Sequence, residues 1–383
     1  GGGGMHGRKR EPKGPVDPAK AEARRRKAAL YAQLSRAALA ARRAGAGGSL
    51  EAGAQLLALN PEVYSLWNHR KEAVGPVLAA GGPAAAQAAD AELALVQAAL
   101  LRNPKSYCTW QHRKWVVAHP DCGVDLAREL GLCAQLLAAD DRNFHCWSYR
   151  RYVAALAGRT ADQELDFTTE KINENFSNYS AWHYRSALLP RAYPTPVRFG
   201  ELAGRGGGGS APGVAGDGAG GAEGGGAPPP PGPGRASGVP GWVLDEEYEL
   251  VKQAFYTEPA DQSAWMYHRW LLGCTLSQPR LGAGGHTAGD APRVLAREAE
   301  TCRELLEIEP DSKWALLTLA RLTQALAQLD PAAGEGGGAG RAVGEAAEMY
   351  HRLEALDPDR RGYYGAALQQ DCTCLPKPAG GGC

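Results

Sequence analysis

The 383-residue chain is long enough for one large or two ordinary domains, but its 50 glycines and 26 prolines are concentrated in stretches that cannot form a packed core. Lysine plus arginine and aspartate plus glutamate both total 42, so the overall charge favours neither nucleic-acid binding nor an acidic surface. No apolar run approaches the roughly 20 residues needed to cross a bilayer, so we expect a soluble chain without a transmembrane segment.

The N-terminal segment carries a local excess of positive charge. Twelve basic residues between Arg8 and Arg43 face three acidic ones, and residues 24–27 are consecutively basic. Such a run can bind an acidic partner, although a solvated helix face or a localisation signal is the commoner origin. We expect residues 1–20 to be a disordered basic terminus and residues 21–197 to form the first part of a helical repeat region.

From residue 60 onward the chain repeats a motif in which an aromatic residue precedes a tryptophan by three positions. Asparagine and aspartate accept hydrogen bonds from the free amides of a helix start, and proline suits a first turn. The Asn or Asp that opens each motif therefore predicts a helix start there. A fifth copy, Glu258–Trp265, lacks the aromatic residue, and weaker copies surround Trp314 and Tyr364. The full copies are Asn60–Trp67, Asn103–Trp110, Asp140–Trp147 and Asn175–Trp182.

The spacing within the motif places the aromatic ring and the tryptophan on one helical face. The tryptophans are predicted to be core residues, and the recurrence of Tyr64, Tyr107 and Tyr179 favours a packing role for these rings as well. An arginine three positions beyond each tryptophan extends the same face. These arginines are expected to pair with carboxylates or helix-end carbonyls between hairpins, and they are Arg70, Arg113, Arg150 and Arg185.

Ahead of each motif lies a stretch whose apolar residues recur at i, i+4, i+7 and i+11, as in Leu126–Leu137 and Leu244–Phe255, which predicts an amphipathic helix. Each unit is therefore a predicted helical hairpin, with up to seven in the chain. Tryptophan spacings of 43, 37 and 35 residues fit hairpins stacked in an all-α solenoid. The tetratricopeptide repeat has a similar period, but its small-residue signature does not recur here.

The segment 198–240 is dominated by glycine, alanine and proline and is predicted to be a disordered loop, because it cannot bury enough apolar surface to offset its ordering entropy. It has no strand before it and no lysine or threonine placed for phosphate, which argues against nucleotide binding. Helical repeats are expected again in 241–370 and an unstructured tail in 371–383. Nine cysteines without a CxxC pair or a signal peptide predict reduced thiols in the cytoplasm.

The repeated aromatic, tryptophan and arginine resemble the repeat of protein prenyltransferase alpha subunits. The resemblance covers most of residues 5–370, and Met5–Arg8, Asp140–Arg151, Asn175–Pro190 and Asp261–Gly273 are similar to the Rab-specific branch. It implies a right-handed, crescent-shaped superhelix of helical hairpins wrapped around a catalytic beta subunit. The immunoglobulin-like and leucine-rich repeat domains of animal members are not recognisable, so a truncated or alternative product is one interpretation.

The Rab-specific resemblance implies a heterodimer that transfers geranylgeranyl from geranylgeranyl diphosphate to C-terminal cysteines of Rab GTPases presented by an escort protein. One alternative is the alpha subunit shared by farnesyltransferase and type I geranylgeranyltransferase. The other is a helical scaffold without catalysis. No cysteine, histidine and aspartate set in the sequence has zinc-site spacing, and in the family the zinc ion belongs to the beta subunit.

The resemblance implies catalytic roles for Lys105 and His145, which match family residues facing the diphosphate and the reaction centre. A lysine near a helix start can meet phosphate, although most such lysines are simply solvated. Tyr107 is a candidate for substrate binding through its hydroxyl group. His6 could reach the metal of the partner subunit, but an unliganded histidine is the commoner outcome for a flexible terminus.

Overall fold

The computed structural model describes residues 17–44, 50–193, 239–277, 290–329 and 338–369. All regular secondary structure in these ranges is helical. The first helix, α1, is Pro18–Arg43 and carries the basic residues 24–27 on exposed turns. The predicted tail, almost all of the predicted loop, and residues 1–16 of the predicted terminus lie outside the described residues.

After α1 the described helices form seven consecutive pairs, which confirms the predicted helical hairpins and the all-α class. Every pair is joined by four residues, because each second helix begins five positions after its first helix ends. The pairs are α2 Glu51–Leu59 with α3 Tyr64–Ala80, α4 Gly82–Arg102 with α5 Tyr107–Val117, α6 Leu126–Ala139 with α7 Phe144–Leu156, α8 Ala161–Glu174 with α9 Tyr179–Ala192, α10 Gly241–Thr257 with α11 Gln262–Ser277, α12 Ala291–Ile308 with α13 Lys313–Leu329, and α14 Gly338–Leu356 with α15 Arg361–Gln369.

The motif asparagines follow the first helix of their pairs, as Asn60, Asn103 and Asn175 do after α2, α4 and α8, so the predicted helix start was wrong by about one turn. Asn103 follows the last residue of α4, and its side chain accepts a hydrogen bond from the Lys105 amide at 3.3 Å. The cap of α5 is instead Ser106, whose hydroxyl accepts from the Thr109 amide at 3.3 Å. Asparagine favours such local turns because its short side chain bonds the backbone two residues on.

The side chains of the motif tryptophans are buried and help to hold the connections in place. In four hairpins the indole N–H donates to the carbonyl six residues earlier, and the carbonyl belongs to the connection itself. A buried donor without an acceptor would be costly, so this bond fixes the loop against the helix. The pairs are Trp67 with Pro61 at 2.8 Å, Trp110 with Pro104 at 2.8 Å, Trp182 with Phe176 at 2.8 Å and Trp265 with Pro259 at 3.1 Å.

The aromatic residue three positions before each tryptophan is exposed, and the predicted packing role was wrong. Tyr107 is 61% exposed, whereas Trp110 is 5% exposed. Each of these rings sits on the first residue of its helix, where the end of the helix leaves one side open to solvent. The other members of this exposed set are Tyr64, Phe144 and Tyr179.

The motif arginines bind neighbouring helices together, as predicted. Arg113 on α5 donates two hydrogen bonds of 2.6 Å to Glu129 on α6 and one of 3.3 Å to the Leu93 carbonyl on α4. The guanidinium thus joins both helices of its own hairpin to the next hairpin. Arg70 with Glu92 and Arg185 with Glu247 repeat this arrangement, and Arg150 is buried at the equivalent position.

The chain divides into two compact units, residues 1–137 with 143–153 and residues 138–142 with 154–383. Among the described helices, α4 is long and apolar enough, by length and composition alone, to cross a membrane, which is weak evidence for a membrane span. Core helices pass the same test, and α4 buries seven of its residues, including Glu92 and Val96. The six described cysteines are free thiols.

Candidate functional site

Lys105, Tyr107 and His145 all belong to the first compact unit. Lys105 lies in the connection between α4 and α5, Tyr107 is the first residue of α5, and His145 is the second residue of α7. The connections of two successive hairpins are held together by Asn143, whose side-chain amide donates to the Pro104 carbonyl at 3.0 Å. This bond places the start of α7 beside the start of α5.

The rings of Tyr107 and His145 are in direct contact. Their centroids are 4.1 Å apart and their planes make an angle of 87°, an edge-to-face geometry. Phe144 completes the group, with its centroid 6.1 Å from that of Tyr107. His145 is only 8% exposed, whereas Tyr107 and Lys105 are exposed, so the cluster presents a phenol and an ammonium around a nearly buried imidazole.

Burial and the neighbouring charges together favour the neutral form of His145. Burial lowers the pKa of His145; the carboxylate of Glu62 raises it, and the ammonium of Lys105 lowers it again, with a net decrease. Glu62 acts in the opposite sense from Lys105 because a negative charge stabilises the imidazolium. A neutral imidazole has one donor nitrogen and one acceptor nitrogen, so it can donate a hydrogen bond without carrying charge.

Glu62 is a member of this site that the sequence interpretation missed. It occupies the third position of the connection between α2 and α3, the same position that Lys105 occupies one repeat later. Burial raises the pKa of the Cys108 thiol, and the charge and hydrogen bond of Glu62 raise it further. The sequence did contain a signal for Glu62. It occupies the same loop position as Lys105 in the neighbouring repeat, so the residue at that position changes while the spacing of the motif does not.

This arrangement can stabilise an anion that develops at its exposed edge. A lysine ammonium, a phenol and an imidazole N–H are the groups that bind phosphate oxygens or a departing diphosphate. Within the described ranges, no three histidine, cysteine, aspartate or glutamate side chains lie close enough together to hold a metal ion. His6 lies outside the described residues.

Comparison with known proteins identifies the repeats. A family profile described as "Protein prenyltransferase alpha subunit repeat" matches residues 50–75, 89–120, 126–156, 161–192 and 244–275. These matches cover most residues of the five hairpins from α2–α3 to α10–α11. They include Lys105, Tyr107 and His145.

Full-length relatives with one shared name align over most of the chain. "Geranylgeranyl transferase type-2 subunit alpha" of Bos taurus is 31% identical over 472 residues, covering 94% of this chain and 74% of the relative. The protein of that name from Schizosaccharomyces pombe is 30% identical and covers 86% of this chain and 87% of the relative. The Dictyostelium discoideum protein is 32% identical, with 82% of each chain covered.

A solved structure shares the fold. A chain of "Candida albicans protein geranylgeranyltransferase-I complexed with GGPP" superposes with a TM-score of 0.57 at 20% sequence identity, covering 89% of this chain and 90% of that chain. At this identity the likeness concerns the fold, and it supports the predicted solenoid of helical hairpins.

Proposed function

Because this chain belongs to the protein prenyltransferase alpha subunit family, we propose that it is the alpha subunit of a type 2 protein geranylgeranyltransferase. In this proposal the chain acts in a heterodimer with a beta subunit and with geranylgeranyl diphosphate as the prenyl donor. The names of its relatives support the reaction, and the family of alpha subunits supports the need for a partner. The chain alone is expected to be inactive.

The acceptors in this proposal are C-terminal cysteines of Rab GTPases presented by an escort protein, in the cytoplasm. The type 2 name shared by the vertebrate, yeast and Dictyostelium relatives supports this choice. The alternatives are a farnesyltransferase or type I geranylgeranyltransferase alpha subunit and a scaffold without catalysis. Neither alternative has equal support. The relatives whose length this chain covers by at least two thirds carry the type 2 name.

The observation that carries the chemistry is the contact of Tyr107 with His145 beside the ammonium of Lys105. Loss of diphosphate from an allylic carbon builds negative charge on the leaving oxygen, and preorganised donors lower the free energy of that transition state. We assign Lys105 to charge stabilisation, His145 to a neutral hydrogen bond to the same anion, and Tyr107 to substrate binding through its hydroxyl group.

The zinc ion is proposed to be bound by the beta subunit, as the family resemblance implies. When bound there, zinc supplies a thiolate nucleophile by lowering the pKa of the acceptor cysteine. The residues of this chain act on the departing diphosphate and on the orientation of the substrate. In this proposal the zinc ligands and the residues that bind the anion belong to different subunits.

Co-expression with a prenyltransferase beta subunit tests this function. We expect a stable heterodimer that transfers geranylgeranyl to a Rab GTPase supplied with its escort protein, and no transfer to a CaaX peptide. Failure to form a complex with any prenyltransferase beta subunit would leave the scaffold interpretation. A complex that modifies the CaaX peptide instead would establish the shared alpha subunit of the other two enzymes.

A further inference from the structure

A concave surface lies in the second compact unit, which does not contain Lys105, Tyr107 or His145. A cavity of about 330 Å³ opens between α11, α13 and α15. Most of its lining consists of arginines, aromatic rings and aliphatic or thioether side chains, together with the polar Gln262 and Thr318.

The lining of this cavity is positively charged. Its twelve residues, all within the described part of the chain, include Arg269, Arg321 and Arg360 and no carboxylate. Arg360 is paired with Asp357 at 2.7 Å, and its guanidinium lies 5.4 Å from the ring of Trp314. Charge complementarity therefore favours an anionic occupant.

Two buried polar atoms of the lining lack hydrogen-bond partners among the described residues. The Nε atom of Arg321 is buried without an acceptor, while another nitrogen of the same guanidinium donates to the Tyr363 hydroxyl. The Nδ1 atom of His268 is also without a partner, whereas Nε2 of the same ring bonds Glu298 at 2.9 Å. Since unsatisfied buried donors are costly, the guanidinium of Arg321 has hydrogen-bonding capacity that its described neighbours do not satisfy.

The apolar walls indicate that the occupant also carries a large apolar group. Trp265 and Trp314 form part of the lining, and Met266 and Tyr363 are each 38% exposed at the cavity. Tryptophan, tyrosine, methionine and arginine are the residues enriched where proteins bind other proteins. The cavity volume is close to the lower end of the range for ligand pockets, which is about 300 Å³. Such a volume can hold one or two anchoring side chains of a partner.

We propose that the cavity between α11, α13 and α15 binds an acidic peptide segment of a partner protein, with a carboxylate at Arg321 and an adjacent aromatic side chain against Trp314 and Met266. The proposal does not depend on the transferase function. The carboxylate pairs with the positive charge of the Arg321 guanidinium at the cavity, and the aromatic side chain covers the exposed part of Met266.

Titration of the full chain with the blocked peptide acetyl-Gly-Asp-Phe-Glu-Gly-amide tests this site. Trp265 and Trp314 report binding through their fluorescence, and calorimetry gives the stoichiometry. We expect saturable binding of one peptide per chain. The Asn and Gln version of the peptide, and the acidic peptide on Arg321→Gln protein, should each bind about tenfold more weakly, because a charge-assisted hydrogen bond contributes about 1.5 kcal/mol.

The matched control is Arg303→Gln, which removes an arginine of α12 paired with Glu300 outside the cavity and should leave peptide binding unchanged. Circular dichroism checks folding, and Met266→Ala provides a second variant at an exposed position that should also weaken binding. Absence of saturable binding by the unmodified chain up to about 5 mM peptide overturns the proposal, as does equal affinity for the neutral peptide.

Two further outcomes would assign the cavity to a different occupant and overturn the peptide proposal. One is binding of dodecyl phosphate, but not of the acidic peptide, in a manner that Arg321→Gln abolishes, which would indicate an anionic lipid. The other is self-association of the unmodified chain in sedimentation experiments that Arg321→Gln abolishes, which would indicate a second copy.

Discussion

The imidazole ring of His145 contacts the phenol ring of Tyr107 almost at a right angle, with ring centroids 4.1 Å apart. The helices that carry these rings, α5 and α7, begin 37 positions apart in the chain. One ring is nearly buried and the other is exposed, so the contact connects the interior of the repeat to its surface. The surroundings of this contact and the buried groups Trp110, Arg113 and His112 lead to the following predictions.

Lys105→Ala is expected to slow the chemical step of the proposed heterodimer by about a hundredfold, because the departing diphosphate loses a cation. Assembly with the beta subunit should change little, since Lys105 is exposed. Single-turnover kinetics measure the step, and sedimentation measures assembly. The control is Arg142→Ala, at the same loop position one repeat later; an unchanged rate in the Lys105 variant would remove this lysine from the mechanism.

Lys105→Ala should also raise the pKa of His145, and Glu62→Gln should lower it. The ammonium disfavours the imidazolium and the carboxylate favours it, so removal of either charge shifts the titration in the opposite direction from its present effect. NMR titration of the imidazole measures both shifts in the unmodified and variant chains. Two shifts of the same sign would contradict this electrostatic account.

Trp110→Ala should reduce the free energy of unfolding by about 3 to 5 kcal/mol, because it empties a buried site and removes the bond to the Pro104 carbonyl. Tyr107→Ala, three positions earlier, should change it by only about 0.5 kcal/mol, as for most exposed residues. Urea denaturation followed by circular dichroism makes the comparison. Similar losses in the two variants would restore the packing role for the exposed ring.

Arg113→Met and Glu129→Gln should each destabilise the fold by about 3 kcal/mol or more, because each leaves a buried partner group unpaired. The double variant Arg113→Met, Glu129→Gln should lose less than the sum of the two single losses, since both charges are then gone. Arg26→Met, in an exposed pair with Glu22, serves as the control and should have little effect. Additive losses in the double variant would show that the two residues do not interact.

Acidification should destabilise the fold through His112. Burial lowers the pKa of His112, with Glu92 opposing and Lys71 and Arg70 reinforcing the decrease. The unfolded chain therefore binds the proton more readily, and this contribution to stability is present above the ordinary pKa of about 6.5 and is lost as the pH falls below it.

The slope from one such group cannot exceed about 1.4 kcal/mol per pH unit. Urea denaturation at pH 7.5 and 5.5 should show a smaller pH-dependent loss for His112→Gln than for the unmodified chain. The exposed His351 on α14 supplies the control substitution, His351→Gln, which should leave the pH dependence in place. An equal loss in His112→Gln protein would assign the acid sensitivity to other groups.

The hairpins and their number could be predicted from the sequence because the tryptophan motif recurs at nearly constant spacing. The exposure of Tyr107 could not be predicted. Periodicity shows which residues share a helical face, but it does not show that the first turn of α5 extends past the neighbouring helices. The helix starts were misplaced for a related reason. Asn103 and Ser106 both have capping side chains, and only the folded backbone shows which of them begins α5.

The buried carboxylates also escaped the sequence interpretation. Each motif arginine meets its glutamate at a different distance along the chain, 22 residues for Arg70, 16 for Arg113 and 62 for Arg185. No fixed spacing therefore marks the pair. The place of Lys105 and His145 beside each other was expected from family resemblance, and the bond from Asn143 to the Pro104 carbonyl supplies its physical basis.

The four-residue connection common to all seven described hairpins determines where this chain can change in length. A residue inserted in the connection would disturb the six-residue register in which the tryptophan indole bonds the loop carbonyl, and a residue inserted in the first turn of the second helix would rotate the side chains after it by about 100°. The segments 194–238, 278–289 and 330–337 all fall between hairpins, where an insertion leaves that phase intact. Evolution can therefore lengthen the junctions freely and graft whole domains there, while the interior of each hairpin stays fixed to the residue.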